Sequence, residues 1–276
     1  MTSPIAAPEL GLDSEQLAQA YERESATRQF ESGKRLVADL AIAPGERVLD
    51  VGCGTGRLTE HIADVVGPTG RVLGIDPLPA RIAIASARAR ANLAFEVGDA
   101  RELGGLAAAS FDVVVLNAVF HWLPEKAGPL KSFARVLRTG GRLGLTSRPP
   151  GQRTILQDVR LQVLSEPPFD HHTRPRDGVL FRVDAEQMRT LLEQAGFTAI
   201  RIELRPAEQA FVDAEAIIRF SEASSFGNFL GYLPPELRVR AREEIRRRLQ
   251  EQVGDQPIVR RDPRMIVIAR TPISLS

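Results

Sequence analysis

The chain is poor in cysteine, in net charge and in long apolar runs, and each shortage closes off a class of protein. Cys53 is the only cysteine in 276 residues, so an internal disulfide framework is impossible and a reducing, cytoplasmic setting is expected. Lys plus Arg number 36 against 35 Asp plus Glu, a net charge of +1. That balance supplies no bulk attraction to a phosphate backbone or an anionic bilayer, so neither nucleic acid nor membrane is expected as a partner. No stretch approaches the ~20 apolar residues of a spanning helix, and Met1 to Pro8 have neither the basic start nor the apolar core of a secretory leader. Internal repeats and low-complexity segments are missing too. The pair His171-His172 invites a metal, but adjacent side chains point apart and no Cys or Glu stands at ligand spacing, so no metal is expected.

What is present is ordinary globular material, 43% hydrophobic and 26% charged, in a length that suits one large domain or one domain with an inserted cap. The longest basic cluster, Arg240 to Arg248, is interrupted by Glu243 and Glu244, which fits the solvated face of a helix laced with ion pairs.

From Arg47 onward, short β-rich runs alternate with helical stretches. Arg47 to Val51, Arg71 to Ile75, Leu93 to Val97, Phe111 to Leu116 and Arg142 to Thr146 are nearly continuous in Val, Leu, Ile and Phe, as buried parallel strands are. Arg57 to Val66, Ala80 to Arg90 and Glu125 to Leu137 carry apolar residues at three and four spacing, the last with Gly140-Gly141 as its stop. The rhythm breaks at Arg148-Pro149-Pro150-Gly151. It resumes with a helix capped by Asp184 and running to Gln194, then strands at Phe197 to Leu204 and Met265 to Ala269. The fold class expected is α/β, a doubly wound sheet with helices on both faces and a mainly helical cap built from two insertions. The corresponding division is a helical N-terminal segment (1–34), a ligand-binding core (35–147), a cap insertion (148–183), a core continuation (184–212), a helical cap insertion (213–262), and the last strand and tail (263–276).

Gly52, Gly54 and Gly56 lie between a strand ending at Val51 and a helix starting near Arg57, where missing side chains let backbone N–H groups approach a ligand. The dinucleotide fingerprint G-x-G-x-x-G wants its third glycine one residue later, where Arg57 stands, so another nucleoside ligand fits better. Asp76 ends the second strand, placed to accept from both hydroxyls of a ribose, a feature that NAD enzymes share. Asp99 follows the third strand, suited to an adenine amino group, and Asn117 follows the fourth, near the middle of the site. Each has a purely structural alternative: Asp50 satisfying loop amides, Asp76 or Asp99 capping a helix. Cys53 is read as a small packing residue.

These features together resemble the class I S-adenosylmethionine (SAM)-dependent methyltransferases over nearly all of residues 35–270. The resemblance is carried by V-L-D-V-G-C-G-T-G at Val48 to Gly56, the acidic end of strand two, and G-D-A at Gly98 to Ala100. It extends through F-D-V-V-V-L-N-A-V-F-H-W-L-P at Phe111 to Pro124 and L-R-T-G-G-R-L at Leu137 to Leu143. It implies a Rossmann-like, seven-stranded sheet with an antiparallel last strand and SAM across the strand ends. By position, Asp50 and Gly52 would meet the methionine part, Asp76 the ribose, Asp99 and Ala100 the adenine, Leu78 the adenine flank, and Asn117 the methionine or sulfonium. A segment such as that around Tyr21 to Phe30 closes over SAM in the family.

The acceptor is harder to read. SAM carries its own leaving group, so a carboxylate acceptor, ionised at pH 7 with a pKa near ~4, needs only orientation, whereas an alcohol or carbon needs a base. His121-Trp122 stands at the mouth of the transfer site, either packing beneath the cofactor or acting on the substrate, Trp122 through its indole N–H and His121 as donor or base. This pair and the insertion before the last strand loosely resemble small-molecule carboxyl O-methyltransferases of the trans-aconitate and juvenile hormone acid type. Arg148, Arg153, Arg174, Arg176 and Arg219 are candidate carboxylate clamps. Arsenic methyltransferases use several cysteines, which Cys53 alone does not supply. The expectation is therefore O-methylation of a small organic acid or natural-product acceptor, with C- or N-methylation, or a non-catalytic SAM-fold binding protein, as alternatives.

Overall fold

A computed structural model describes residues 13–151, 153–172 and 180–273. In chain order the elements are α1 (Glu15–Glu24), α2 (Ala26–Asp39), β1 (Arg47–Val51), α3 (Arg57–Val66), β2 (Arg71–Asp76), α4 (Pro79–Ser86), β3 (Leu93–Val97), β4 (Phe111–Asn117) and α5 (Ala127–Val136). There follow β5 (Leu137–Ser147), α6 (Ile155–Leu164), α7 (Ala185–Gln194), β6 (Thr198–Arg205), β7 (Glu208–Phe211), α8 (Ala214–Ala223), α9 (Pro235–Val253), β8 (Ile258–Arg261) and β9 (Arg264–Arg270). The chain divides into two compact units.

The sheet unit comprises 26–150, 181–205 and 263–276. Its seven strands run in the order β3-β2-β1-β4-β5-β9-β6, with β9 antiparallel to both neighbours and the β1, β2, β3, β4 and β5 pairs parallel. Alternation along the strands makes two cores. Val48, Val113 and Val115 face α2 and α3 through Leu36, Leu40, Leu58 and Ile62. Leu49, Val114, Leu116, Leu143 and Leu145 face α5 and α7 through Leu130, Phe133, Met188 and Leu192. This is the α/β doubly wound sheet that the alternation of runs implied. Strand order reverses between β1 and β4, which places the crevice for ligands at their carboxyl ends.

Three readings of local sequence need correction. Gly140-Gly141 does not end α5, which stops at Val136; both glycines lie inside β5. The register explains why. Phe111 pairs with Leu137 but Val113 with Arg142, so β5 bulges between them, with Gly140 at φ +71 and a Cβ on Gly141 only 2.8 Å from the Arg138 carbonyl. The N-terminal stretch Tyr21 to Phe30 is likewise two helices, with Ser25 capping the end of α1 before α2 begins. The helix read as ending at Arg90 stops at Ser86.

The second unit comprises 1–25, 151–180 and 206–262. Leu156, Val159 and Val163 of α6, Ile217, Ile218 and Phe220 of α8, and Ala241, Ile245 and Leu249 of α9 share one apolar cluster. Besides helices it holds an antiparallel pair, β7 with β8, which the sequence reading did not include. Phe211 and Ile258 are opposed in that ladder and both buried, but four-residue strands are too short for a period-2 signal to stand out. On α9, Arg246 pairs with Glu243 at 2.6 Å, Arg247 with Glu244 and Glu251, and Arg248 with Glu244 and Glu166. Asp213 caps α8 by accepting from the Ala216 N–H at 2.7 Å. Asp213→Ala is expected to lower stability by about 1 kcal/mol in a denaturant titration. Among the described residues, no helix is long and apolar enough to cross a membrane.

Candidate functional site

The glycine loop is tied to the end of β2. The N–H groups of Gly52 and Cys53 donate to the Ile75 carbonyl at 2.7 and 2.9 Å. Asp76 completes the anchorage from the same strand end: Oδ2 accepts from the Gly54 N–H at 2.9 Å and Oδ1 from the Leu78 N–H at 3.0 Å. Gly52, Gly54 and Gly56 all have positive φ, at 74, 58 and 86°, where L side chains are strained. There is no space for one either: a Cβ on Gly52 would lie 2.3 Å from Val119, and one on Gly56 2.8 Å from Phe95. The turn thus presents backbone rather than side chains toward the crevice.

Asp50 lies one residue before the end of β1 and is 1% exposed. Its Oδ2 accepts from the Thr59 hydroxyl at 2.7 Å. Burial pushes its carboxyl up to about 7, eased by Thr59 and reinforced by the charge of Asp76. The same burial, with Asp50 and Asp76 nearby, raises the Cys53 thiol well above its ordinary value, so this cysteine is a poor nucleophile. Two buried carboxyl groups beside an open backbone turn suit a ligand that brings positive charge, as the ammonium and sulfonium of SAM do. The residues present fit that cofactor.

Asp99 is more occupied than its sequence position suggested. Arg101, which the reading passed over, donates from Nε at 2.9 Å and from Nη2 at 2.5 Å, and its backbone N–H adds a third bond. Burial would raise the Asp99 carboxyl, but these hydrogen bonds and the guanidinium charge outweigh it and hold it low. Leu78 and Ala100 are buried, Leu78 at the start of α4 and Ala100 in the core. Asn117 bridges elements: Nδ2 donates to the Gln29 carbonyl of α2 at 2.8 Å, and Oδ1 accepts from the Thr146 hydroxyl of β5 at 2.9 Å. That hydroxyl in turn accepts from the Ala118 N–H at 2.8 Å. Ala118 sits at φ +60, a strained state for alanine that the Thr146 bond helps to hold.

This turn delivers Phe120–Trp122, one turn of 3₁₀ helix. His121 and Trp122 are tilted ring neighbours with centroids 5.7 Å apart. His121 is buried, its carbonyl accepts from the Phe181 N–H at 2.8 Å, and its Nδ1 has no partner among the described residues. Burial above all, then the charges of Arg148, Lys126, Arg182 and Arg264, drive its pKa well below 6.5. Lys126 braces the turn through Nζ bonds of 2.5 Å to the Phe120 and Leu123 carbonyls, 4.6 Å from the Phe120 ring centroid. Burial pushes this ammonium down to about 7.

Three of the five arginines singled out as clamps, Arg148, Arg153 and Arg219, lie among the described residues. Arg153 pairs with Asp158 at 2.7 Å, and Arg219 lies 3.6 Å from Glu24, all in the helical unit. Arg174 and Arg176 lie outside the described residues. Arg148 belongs to the neighbourhood of His121, as do Arg182 and Arg264. Neither of the latter two was legible as a site residue, because Arg264 is brought beside Arg148 by the pairing of β5 with β9 and Arg182 is brought to His121 by the Phe181 N–H bond to the His121 carbonyl.

A model for a methyltransferase domain matches residues 42–167. Aklanonic acid methyltransferase DauC of Streptomyces sp. (strain C5) is 37% identical over 143 residues, 48% of this chain and 64% of that protein. The chain thus spans less than two thirds of this relative's length. Nocamycin O-methyltransferase of Saccharothrix syringae is 28% identical, with 86% of this chain and 89% of that protein covered. The ubiquinone/menaquinone biosynthesis C-methyltransferase UbiE of Ectopseudomonas mendocina is 30% identical over 177 residues, 62% of this chain and 69% of that protein. In fold, the chain is similar to the YcgJ protein from Bacillus subtilis, with a TM-score of 0.59, 16% identity, and 88% of this chain and 98% of that chain covered. The chain belongs to the class I SAM-dependent methyltransferases, and SAM is its cofactor.

Proposed function

We propose that the protein O-methylates a carboxylate on a small organic acid or natural-product acceptor. The observation that carries this reading is the state of His121, buried among the charges of Arg148, Lys126, Arg182 and Arg264. An imidazole whose pKa is driven down is neutral at pH 7 but a weak base, badly matched to pulling a proton from an alcohol or carbon acid. A carboxylate arrives already ionised, and cationic surroundings favour its charged form. The names of two relatives, an acid methyltransferase and an O-methyltransferase, support the same choice; the C-methyltransferase among them is the reason carbon stays as the second reading.

Bound SAM supplies a methyl group already activated on a sulfonium. A carboxylate acceptor, already ionised, would need no proton removed by the protein before accepting that methyl. The chain's own contribution is placement. Asp76 and the glycine loop would hold the ribose, Gly52 and Asp50 the methionine end, and Asp99, Ala100 and Leu78 the adenine, with Asn117 bracing the floor beneath the sulfonium. His121 and Trp122 would shape the acceptor side and donate to its oxygens.

Transfer of labelled methyl from SAM to a panel of organic acids tests the reading, because a methyl ester is cleaved by mild base and N- or C-methyl products are not. Base-stable label throughout would refute it. His121→Ala is expected to lower kcat by ~10-fold or more while leaving S-adenosylhomocysteine affinity within ~2-fold, since the side chain is assigned to the acceptor and not the cofactor. An equal loss in both, measured by turnover and calorimetry, would move His121 into the cofactor site.

A further inference from the structure

Three arginines from separate stretches of the sheet unit meet at one edge of it. Ser147, the last residue of β5, pairs with Met265 of β9, so the antiparallel ladder brings Arg148, the next residue, beside Arg264 at the start of β9. Arg182 follows Phe181, whose N–H is bonded at 2.8 Å to the carbonyl of His121. Two buried side-chain atoms in this neighbourhood have no hydrogen-bond partner among the described residues: Nδ1 of His121 and Oγ of Ser147, in residues 5% and 2% exposed. Buried polar atoms without partners are uncommon, and both of these stand at the carboxyl end of the sheet, where ligands bind in open α/β folds.

We propose that Arg148, Arg182 and Arg264 form the anion subsite that receives the acceptor's carboxylate, with Ser147 Oγ and His121 Nδ1 as neutral donors to its oxygens. The inference rests on the O-methylation reading and adds to it the residues that select the acid. The chemistry is consistent on three counts. Guanidinium groups match a carboxylate in shape and charge. A neutral imidazole can donate through Nδ1, and burial first, then the same cations that would attract the acid, keep it neutral. The product ester carries no charge, so these arginines hold the acid more tightly than the ester and help release it. Arg264 also donates to the Ser32 hydroxyl of α2, which fixes its stem on the sheet unit.

Acetate, with acetamide as its neutral isostere, is the probe, and the protein is the full chain saturated with S-adenosylhomocysteine. The readout is the imidazole nitrogen resonance of His121, resolved from only three other histidines. Acetate is expected to shift that resonance saturably and acetamide not; Arg182→Gln is expected to weaken acetate ~10-fold or more, with Arg182→Lys between the two. Arg148→Gln provides a second variant, and unchanged S-adenosylhomocysteine affinity in each confirms a folded cofactor site. A His121 signal that acetate leaves unmoved, or an acetate affinity equal in wild type and both glutamine variants, overturns the subsite. The labelled-methyl assay separates the two claims. Arginine-dependent acetate binding with only base-stable product keeps the subsite and refutes O-methylation; base-labile product with an acid KM unaltered by Arg182→Gln keeps O-methylation and refutes the subsite.

Discussion

Asp76→Ala is expected to weaken SAM by two orders of magnitude or more, the largest loss that any single side chain of the site should produce. Asp76 has two tasks, and the substitution removes both. It leaves the Gly54 and Leu78 N–H groups without the acceptors that now lie at 2.9 and 3.0 Å, a cost of about 1–3 kcal/mol for each buried donor. It also removes the carboxylate assigned to the ribose hydroxyls, which then enter the site unpaired. Asp76→Asn separates the tasks: one amide oxygen can still serve one of the two N–H groups, so loop order should survive in part while ribose binding falls. Calorimetry with SAM and S-adenosylhomocysteine reads the affinities, and thermal unfolding without ligand reads the loop. Wild-type affinity in Asp76→Ala would remove Asp76 from the site; equal losses for Asn and Ala would mean that the charge, not the loop anchorage, is what SAM requires.

Asp76 also shows how much of the molecule was readable in advance. Continuous apolar runs at β1, β2 and β4 mark strands buried on both faces, whereas the run at β3, expected to be buried as well, forms an edge strand that is largely exposed; residues at the carboxyl ends of all four are neighbours by this pattern. That logic located Asp50, Asp76, Asp99 and Asn117. It could not say that Asp76 spends both oxygens on backbone donors, that Asn117 bridges α2 and β5, or that Arg101 engages Asp99, because hydrogen-bond partners depend on tertiary distance. The acceptor side was least legible for the same reason. Arg148, Arg182 and Arg264 are scattered across more than a hundred positions and meet only through an antiparallel register and one hydrogen bond at His121. The bulge in β5 was misread because a glycine pair after a helical period carries the same local signal whether it stops a helix or widens a strand.

Asp50→Asn should make the ligand-free protein more stable at pH 8 while making it a worse SAM binder. Asp50 is buried with its carboxyl pushed up to about 7, against an ordinary value of 3.8. Between those values the folded chain keeps a proton that the unfolded chain has released, so the contribution of Asp50 to stability is full below 3.8 and is lost as pH rises through 7. Asparagine does not titrate, and its amide oxygen can still accept the Thr59 hydroxyl. The stability gained by Asp50→Asn should therefore widen by roughly 2–3 kcal/mol between pH 5 and pH 8 in denaturant titrations. His121 acts in the opposite sense, its burial costing stability as pH falls below 6.5, but it is common to both proteins and cancels in the comparison. A cationic ligand reverses the preference at position 50: it favours the ionised carboxylate, so SAM binding by the wild type should strengthen as pH rises through 7, with proton release, and Asp50→Asn should abolish that dependence. A stability gap that stays flat with pH would place Asp50 in its ordinary range; a pH dependence of SAM binding that survives in Asp50→Asn would assign the proton to another group.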